Sequence, residues 1–541
     1  ENGMVSSAHE LASKAGVEIL QKGGNAIDAA MATMLALNVV EPNASGIGGG
    51  GFTTIRFAET GEVVELDYRE VAPLSATRDM YASEESKKAK ESVLGGKAVG
   101  VPGIVKGIFT ILEKYGTMSF AEVAAPAIRL AEEGFEVHPM QTQIITDEFG
   151  KLSKYSPDCV FLPGGLPAET GTILKQPGIA KAFRLLASDG PDAFYNGPIG
   201  EAVVAAVNNS GGKMSMEDLR GYEMIVQKPV HGTYRGYSIY STPPASSGGT
   251  HIVQLLNIME NFPVKALKHN SPEYLHYLAE GMKMVFADRQ KYMADTAFVK
   301  VPLAGLSSKG YAKELADKIR KYEVMMEVPA GDPWPFDDSG KTAFIGGGGN
   351  KHISTSSFSV VDAAGNIVAS TNTVNYFFGS GVIVPEYGVV LNNQMDDFSQ
   401  NPESVNAPEP GKRPLSSMSP TIVLDPEGRA FMTIGAAGAM RIITAVSQII
   451  MNVVDFGMPM DMAIEQPRIF NPAGGGKAGK LLIEEGIAPS TVDYLKLRGH
   501  DLEARPFSGY FGTAQGILFD HTKGRMNGGA DSRRLGVPVG Y

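Results

Sequence analysis

Lys351-His-Ile-Ser-Thr-Ser-Ser-Phe-Ser-Val-Val-Asp362 carries four consecutive hydroxyl residues, Ser354 to Ser357, into the apolar pattern of a strand. Taken alone, the string is a polar loop entering a sheet. A sharper reading concerns Thr355. A threonine hydroxyl is a poor nucleophile without a base. If the Ser354–Thr355 bond is cut, Thr355 gains a free α-amine with an ordinary pKa of ~8, next to its own Oγ1. One residue then supplies both nucleophile and base.

Working outward, the chain has 541 residues and a mass of 57.5 kDa. At ~150 residues per domain, that length sets a prior of three to four domains. Apolar residues make up 43% and charged residues 20%, an ordinary globular composition that excludes disorder and a small disulfide scaffold. Glycine is the outlier, with 64 residues, about 12% against the usual ~7%. Much of it is clustered at Gly46 to Gly51, Gly346 to Gly349 and Gly474 to Gly476, where backbone is expected to approach something closely. The net charge of −11 argues against a nucleic-acid surface. The single cysteine, Cys159, allows neither an intrachain disulfide nor a cysteine zinc cluster. No apolar run reaches the ~18 residues of a membrane span. The sequence starts at Glu1 with no signal-like stretch, which leaves a cytoplasmic location open.

Periodicity places helices over His9–Gln21, stopped by Gly23-Gly24, and over Ala26–Val40, capped by Asn25. The second is apolar nearly all round and so is expected to be buried. Further helices are expected over Ser119–Glu133, from Glu273 to about Met293, and over Ile442–Val454. Strands are expected at Phe52–Phe57, Phe358–Val361, Asn366–Ala369 and Gly388–Leu391. Thr421–Leu424 and Ala430–Ile434 flank Asp-Pro-Glu-Gly, a hairpin signal. Residues 326–354, rich in glycine and proline, read as a linker-like tail. Helices, then strands, then helices indicate an α+β fold with sheets covered by helices.

Several motifs fail. Gly46-Ile-Gly-Gly-Gly-Gly51 satisfies G-x-G-x-x-G, but a helix precedes it and a strand follows, the reverse of a dinucleotide site. Gly340-Lys-Thr342 lacks the glycine of a phosphate loop, because Pro335 stands five positions earlier. The histidines form no H-E-x-x-H pair, so no metal is expected.

Other strings sharpen the reading of Thr355. Leu391-Asn-Asn-Gln-Met-Asp-Asp-Phe398, Arg413-Pro-Leu-Ser-Ser-Met-Ser-Pro420 and Gly435-Ala-Ala-Gly-Ala-Met-Arg441 follow it. Gly24-Asn-Ala-Ile-Asp-Ala-Ala30, Gly46 to Phe52, Asp67-Tyr-Arg-Glu70 and Ser241-Thr-Pro-Pro-Ala-Ser-Ser-Gly-Gly249 precede it. In this collinear order, from about residue 2 to 541, the chain resembles the gamma-glutamyltranspeptidase family.

The resemblance implies a four-layer αββα N-terminal-nucleophile hydrolase sandwich. It implies self-cleavage at Ser354–Thr355 into a large subunit, 1–354, with a flexible tail over about 326–354, and a small catalytic subunit, 355–541. The two pair as one αββα unit. By the same resemblance Thr355 is the nucleophile, with Ser356 a rival hydroxyl, and Thr373 hydrogen-bonds it. Arg69 takes the substrate α-carboxylate through a bidentate guanidinium fork, helped by Ser416 and Ser417. Asp397, Gln394 and Asn375 take the α-ammonium. Gly438 and Ala439 N–H groups form the oxyanion hole, where Ala439 replaces a usual glycine; a positive φ there would be costly. Ser357 stands where the family usually has histidine.

The implied activity is transfer of a γ-glutamyl group, as from glutathione, to water or an amine, with no cofactor. Within the family, glutaryl (cephalosporin) acylase and poly-γ-glutamate hydrolase are the alternatives. The presence of Asp397, Gln394 and Asn375 favours γ-glutamyl over glutaryl substrates, and the short stretch between Phe398 and Arg413 implies that a lid is absent. An unprocessed, inactive binding homologue is the non-enzyme alternative. The resemblance also points to an extracellular or periplasmic location.

Overall fold

A computed structural model describes residues 2–338 and 354–541. Two antiparallel sheets form its centre. The first has seven strands in the order Val537–Gly540, Met4–Ser7, Ser356–Val361, Ile367–Thr373, Gly50–Arg56, Val63–Asp67 and Ile225–Gln227. The second has six, in the order Arg525–Ala530, Thr513–Asp520, Ala430–Ala437, Thr421–Leu424, Tyr237–Ser241 and Val230–Tyr234. Both sheets combine strands from either side of residue 354, interleaved in the first and side by side in the second, so neither half of the chain owns a sheet.

The core divides into layers. A small apolar cluster that includes Val361, Ile367, Ala369, Ile422, Leu424 and Ile517 lies between the sheets. The outer face of the first sheet is covered by helices Glu10–Gln21, Ala26–Val40, Ile104–Tyr115 and Phe120–Glu133. The outer face of the second is covered by Gly248–Met259, Pro272–Tyr292 and Arg441–Val454. This is the αββα sandwich. Helix Ala26–Val40 is buried along its whole length, as its apolar circumference requires, and Asn25 caps it in a capping box with Asp28.

Two expectations differ from the structure. The Gly388–Leu391 strand shrinks to the pair Val389–Val390, hydrogen-bonded to Ile383–Val384 in a tight hairpin. The first part of the linker-like stretch is docked: Val328 and Trp334 are buried against the second helical layer, because burying an indole outweighs the local composition. The tetraglycine at 346–349 lies outside the described residues.

Candidate active site

Thr355 stands immediately before strand Ser356–Val361, in the middle of the first sheet. Its hydroxyl donates to Thr373 Oγ1 at 3.0 Å, and Thr373 Oγ1 also accepts from Asn375 N at 2.8 Å. Thr373 ends the neighbouring strand, so antiparallel pairing brings the two threonines together. The glycine run packs beneath: a Cβ on Gly49 would lie 2.1 Å from Thr373 O. The Thr355 carbonyl accepts from Arg534 Nη1 at 2.6 Å, and Ser356 Oγ donates to Glu41 at 2.6 Å. Ser356 is thereby committed to a structural bond, which separates it from Thr355. Ser357 faces the other sheet, where a Cβ on Gly435 would lie 2.2 Å from its Oγ.

Thr355 has a φ of 138°. A β-branched residue at positive φ is a backbone outlier, costing on the order of 1–3 kcal/mol. The strain lies at the Ser354–Thr355 junction.

Arg69 follows the strand Val63–Asp67. The Asp67 carboxylate accepts from Arg69 N at 2.8 Å, which turns the chain and sends the guanidinium inward. Arg69 Nη2 meets Asp397 Oδ2 at 2.5 Å, and Arg69 Nε donates to Pro414 O at 3.2 Å. Asp397 and Gln394 share a single helical turn, pinned by Asn392, whose Oδ1 accepts from Gln394 N at 2.9 Å. Gln394 Nε2 donates to the same Asp397 oxygen at 2.5 Å. Asp397 Oδ1 and Gln394 Oε1 are buried acceptors with no partner among the described residues. Burial pushes the Asp397 carboxyl up to about 6 despite Arg69. Burial also raises neighbouring Glu70 to about 8, so at neutral pH Asp397 is the one of the two that carries charge.

Ser416 and Ser417 lie on a segment stitched to residues 245–247: Ser416 N donates to Ala245 O at 3.0 Å and Ser247 N to Ser416 O at 2.9 Å. Ser416 Oγ accepts from Met418 N at 3.1 Å, and Ser417 Oγ accepts from Arg289 Nη2 at 2.9 Å. Both hydroxyls are used as acceptors, so their hydrogens remain for a ligand.

Gly438 and Ala439 join strand Ala430–Ala437 to helix Arg441–Val454. Among the described residues, neither N–H donates to a protein acceptor. They precede a helix N-terminus, whose dipole favours negative charge. Ala439 has a φ of 55°, so the left-handed conformation is adopted with a Cβ in place.

Arg69, Ser354, Thr355, Thr373, Asn375, Gln394, Asp397, Ser416, Ser417 and Ala439 line one narrow cleft. Of the residues given a catalytic, binding or cleavage role from the sequence, all but Gly438, which adjoins Ala439, line it; Ser356 and Ser357 do not. The stretch from Phe398 to Arg413 contributes no lining residue. Arg289, Arg534 and Glu41 were not singled out from the sequence, because each acts from a distant segment and sits in no motif.

This constellation coincides with a sequence match over residues 12–541 to the family model described as gamma-glutamyltranspeptidase. The chain belongs to the gamma-glutamyltranspeptidase family. It is 39% identical over 551 aligned positions to the glutathione hydrolase proenzyme of Bacillus subtilis (strain 168), covering 100% of this chain and 92% of that one. It is also 39% identical to the acylase ACY 1 proenzyme of Pseudomonas sp. (strain SE83), covering 99% and 93%. The crystal structure of cephalosporin acylase from Bacillus halodurans superposes with a TM-score of 0.88 at 29% identity, over 100% of this chain and 96% of that one.

As in that family, the chain is an enzyme made as a self-processing precursor. No helix among the described residues is long and apolar enough to cross a membrane. One group among them, His276, Glu280 and His500, is close enough to hold a cation. Its atoms are already engaged: His276 Nδ1 meets His500 Nε2 at 2.9 Å, and Glu280 pairs with buried Lys283 at 2.6 Å. That ammonium would repel a metal ion.

Proposed function

We propose that this enzyme cleaves γ-glutamyl amides, such as glutathione, through an ester on Thr355 and passes the acyl group to water or an amine. The observation that carries the reading is the state of the polar groups around the cleft. Asp397 Oδ1 and Gln394 Oε1 are buried acceptors lacking donors among the described residues. Ser416 and Ser417 hydroxyls have hydrogens to donate, beside Arg69. A γ-glutamyl terminus, with one ammonium and one carboxylate, satisfies both sets. A glutaryl group leaves Asp397 Oδ1 unpaired in a buried site, which costs on the order of 1–3 kcal/mol.

Maturation uses the same hydroxyl. Thr355 Oγ1 attacks the Ser354 carbonyl, the C–N bond breaks, and an ester replaces the amide. Water then hydrolyses that ester, freeing the Ser354 carboxylate and the Thr355 α-amine. The positive φ at Thr355 supports this step, since cleavage removes the constraint. The products are subunits 1–354 and 355–541, which remain paired through the shared sheets.

In turnover, the α-amine takes the Thr355 hydroxyl proton as Oγ1 attacks the γ-carbonyl. Gly438 and Ala439 N–H groups receive the developing oxyanion. The protonated amine passes its proton to the leaving nitrogen, and an ester forms on Thr355. Water or an acceptor amine, deprotonated by the same α-amine, releases the γ-glutamyl group. Thr373 holds Oγ1 in line.

Denaturing electrophoresis and a chromogenic assay test this. Mature protein should give two bands and release p-nitroaniline from γ-glutamyl-p-nitroanilide at least tenfold faster than from glutaryl-p-nitroanilide, by the ~1–3 kcal/mol cost of an unpaired acceptor. A preference for the glutaryl substrate would transfer the reading to an acylase.

A further inference from the structure

Arg289 is a buried cation without a buried anion to match it. It lies near the end of helix Pro272–Tyr292 and is 2% exposed. Its Nε donates to Ser247 Oγ at 2.8 Å and its Nη2 to Ser417 Oγ at 2.9 Å. Among the described residues, no carboxylate comes within ion-pair distance of it. Its neighbour Asp288 turns away, accepting from Gln254 and Tyr311, each at 2.7 Å. Asp397, the negative group that acts on Arg289 from a distance, already faces Arg69. Burial accordingly lowers Arg289 to about 10, still protonated at neutral pH.

A buried guanidinium without a counter-ion is strongly disfavoured unless something supplies the charge. Here the hydroxyls it holds show where that charge enters. Ser247 Oγ accepts from Arg289 and spends its own hydrogen on Ser416 O at 2.7 Å. That chain fixes the Ser416 backbone. Ser417 Oγ also accepts from Arg289, but donates to no group among the described residues. Its hydrogen is left for the cleft, and the donated guanidinium bond makes the hydroxyl a stronger donor.

We infer that Arg289 is a specificity-determining positioning residue: through Ser417 it selects acyl groups that carry an α-carboxylate. The inference rests on the γ-glutamyl reading above. Arg69 touches the substrate carboxylate directly. Arg289 acts one bond behind, orienting the Ser417 hydroxyl and supplying a second positive charge. A substrate with the ammonium but no α-carboxylate gains nothing from it.

The test compares Arg289→Met and Arg289→Lys with the parent enzyme, using γ-glutamyl-p-nitroanilide as substrate. L-Glutamate and 4-aminobutyrate serve as competing ligands, the second lacking only the α-carboxylate. For Arg289→Met, the KM and the L-glutamate inhibition constant should rise about 10- to 100-fold, the range for losing a charge-assisted contact. The 4-aminobutyrate constant should stay within about twofold, and kcat within about threefold, since no reacting atom is touched. Arg289→Lys keeps the charge but loses the fork, and should recover part of the loss.

Equal weakening of both ligands, or a fall in kcat at unchanged KM, would overturn the assignment and leave Arg289 a packing residue. If Arg289→Met fails to process into two bands, Arg289→Lys carries the test, with the same selective direction expected. Failure of the parent enzyme to turn over the γ-glutamyl substrate would sink the underlying reading before any variant is compared.

Discussion

Arg69 and Asp397, 328 positions apart, meet at 2.5 Å inside the cleft. In the proposed function each is the partner of one end of a zwitterion, and in the structure each is the other's counter-ion. The pairing spares both groups the cost of an isolated buried ion. Only one Asp397 oxygen is used in this way. The other, Oδ1, has no donor among the described residues, which in the proposed complex leaves it to accept the ammonium while Arg69 is held.

Asp397→Asn should lower kcat/KM for γ-glutamyl-p-nitroanilide by about 10²–10³-fold, corresponding to a broken buried charge contact. The loss for glutaryl-p-nitroanilide should be at least tenfold smaller, because that substrate has no ammonium to lose. Two bands on a denaturing gel would confirm that the variant still folds and matures. Equal losses on both substrates would mean that Asp397 only supports Arg69.

Asp397 also sets a pH dependence. Its carboxyl is raised to about 6, chiefly by burial. Ammonium binding requires the ionised form, so affinity is full above that value and is lost as pH falls through it. L-Glutamate should bind about tenfold more weakly at pH 5 than at pH 7, and glutarate should show no such weakening. Titration calorimetry at the two pH values reads this directly. The ligand's own ammonium stays protonated throughout, so the change reports the protein.

The legible parts of the molecule are those carried by local pattern. Asn25 caps the helix that periodicity marks, and the Asp425-Pro-Glu-Gly428 hairpin forms between the strands that flank it. Periodicity alone stops at sheets covered by helices; the pairing of Met4–Ser7 with Val537–Gly540 crosses the entire chain, and no local signal announces it. The site divides similarly. Thr355, Arg69, Asp397, Ser416 and Ser417 lie in recognisable strings. Arg534 reaches Thr355 O from 179 residues away, and Arg289 reaches Ser417 from 128, so only folding reveals them. Ala439 was legible as a departure, but its φ of 55° was not.

Thr355→Ala should remain a single uncleaved chain with no detectable turnover. Thr355→Ser keeps a hydroxyl beside an α-amine and should process and turn over, more slowly. Mass spectrometry of the small subunit should place its first residue at position 355. A different first residue, or processing in the alanine variant, would remove Thr355 as nucleophile.

Ala439→Gly relieves a Cβ from the left-handed region while keeping the N–H. The strain relieved, on the order of 1 kcal/mol, is partly offset by the greater freedom of glycine in the unfolded chain. Thermal stability should therefore change little or rise slightly, and kcat should stay within about twofold, since the donor proposed for the oxyanion is a backbone group. A tenfold fall in kcat would show that the alanine methyl itself shapes the cleft.

Arg534 tests whether the nucleophile needs an anchor on its carbonyl side. Its Nη1 donates to Thr355 O at 2.6 Å, while Glu41 lies 3.8 Å from the same nitrogen and accepts from Ser356 Oγ. The two side chains thus grip consecutive residues at the start of the strand, one by its carbonyl and the next by its hydroxyl. Arg534→Met removes the grip on Thr355 and leaves the Glu41 carboxyl, already raised by burial, without its cationic neighbour. Glu41 then has reason to take up a proton and keep the Ser356 bond, so the damage should stay local to Thr355. Its Oγ1 would wander from the geometry needed for attack, and misplacement of about 1 Å can cost ~10²-fold. Maturation, followed as band conversion over time, should slow by about that factor, and residual turnover per mature molecule should fall in parallel. Normal maturation with normal turnover would show that strand pairing alone positions Thr355.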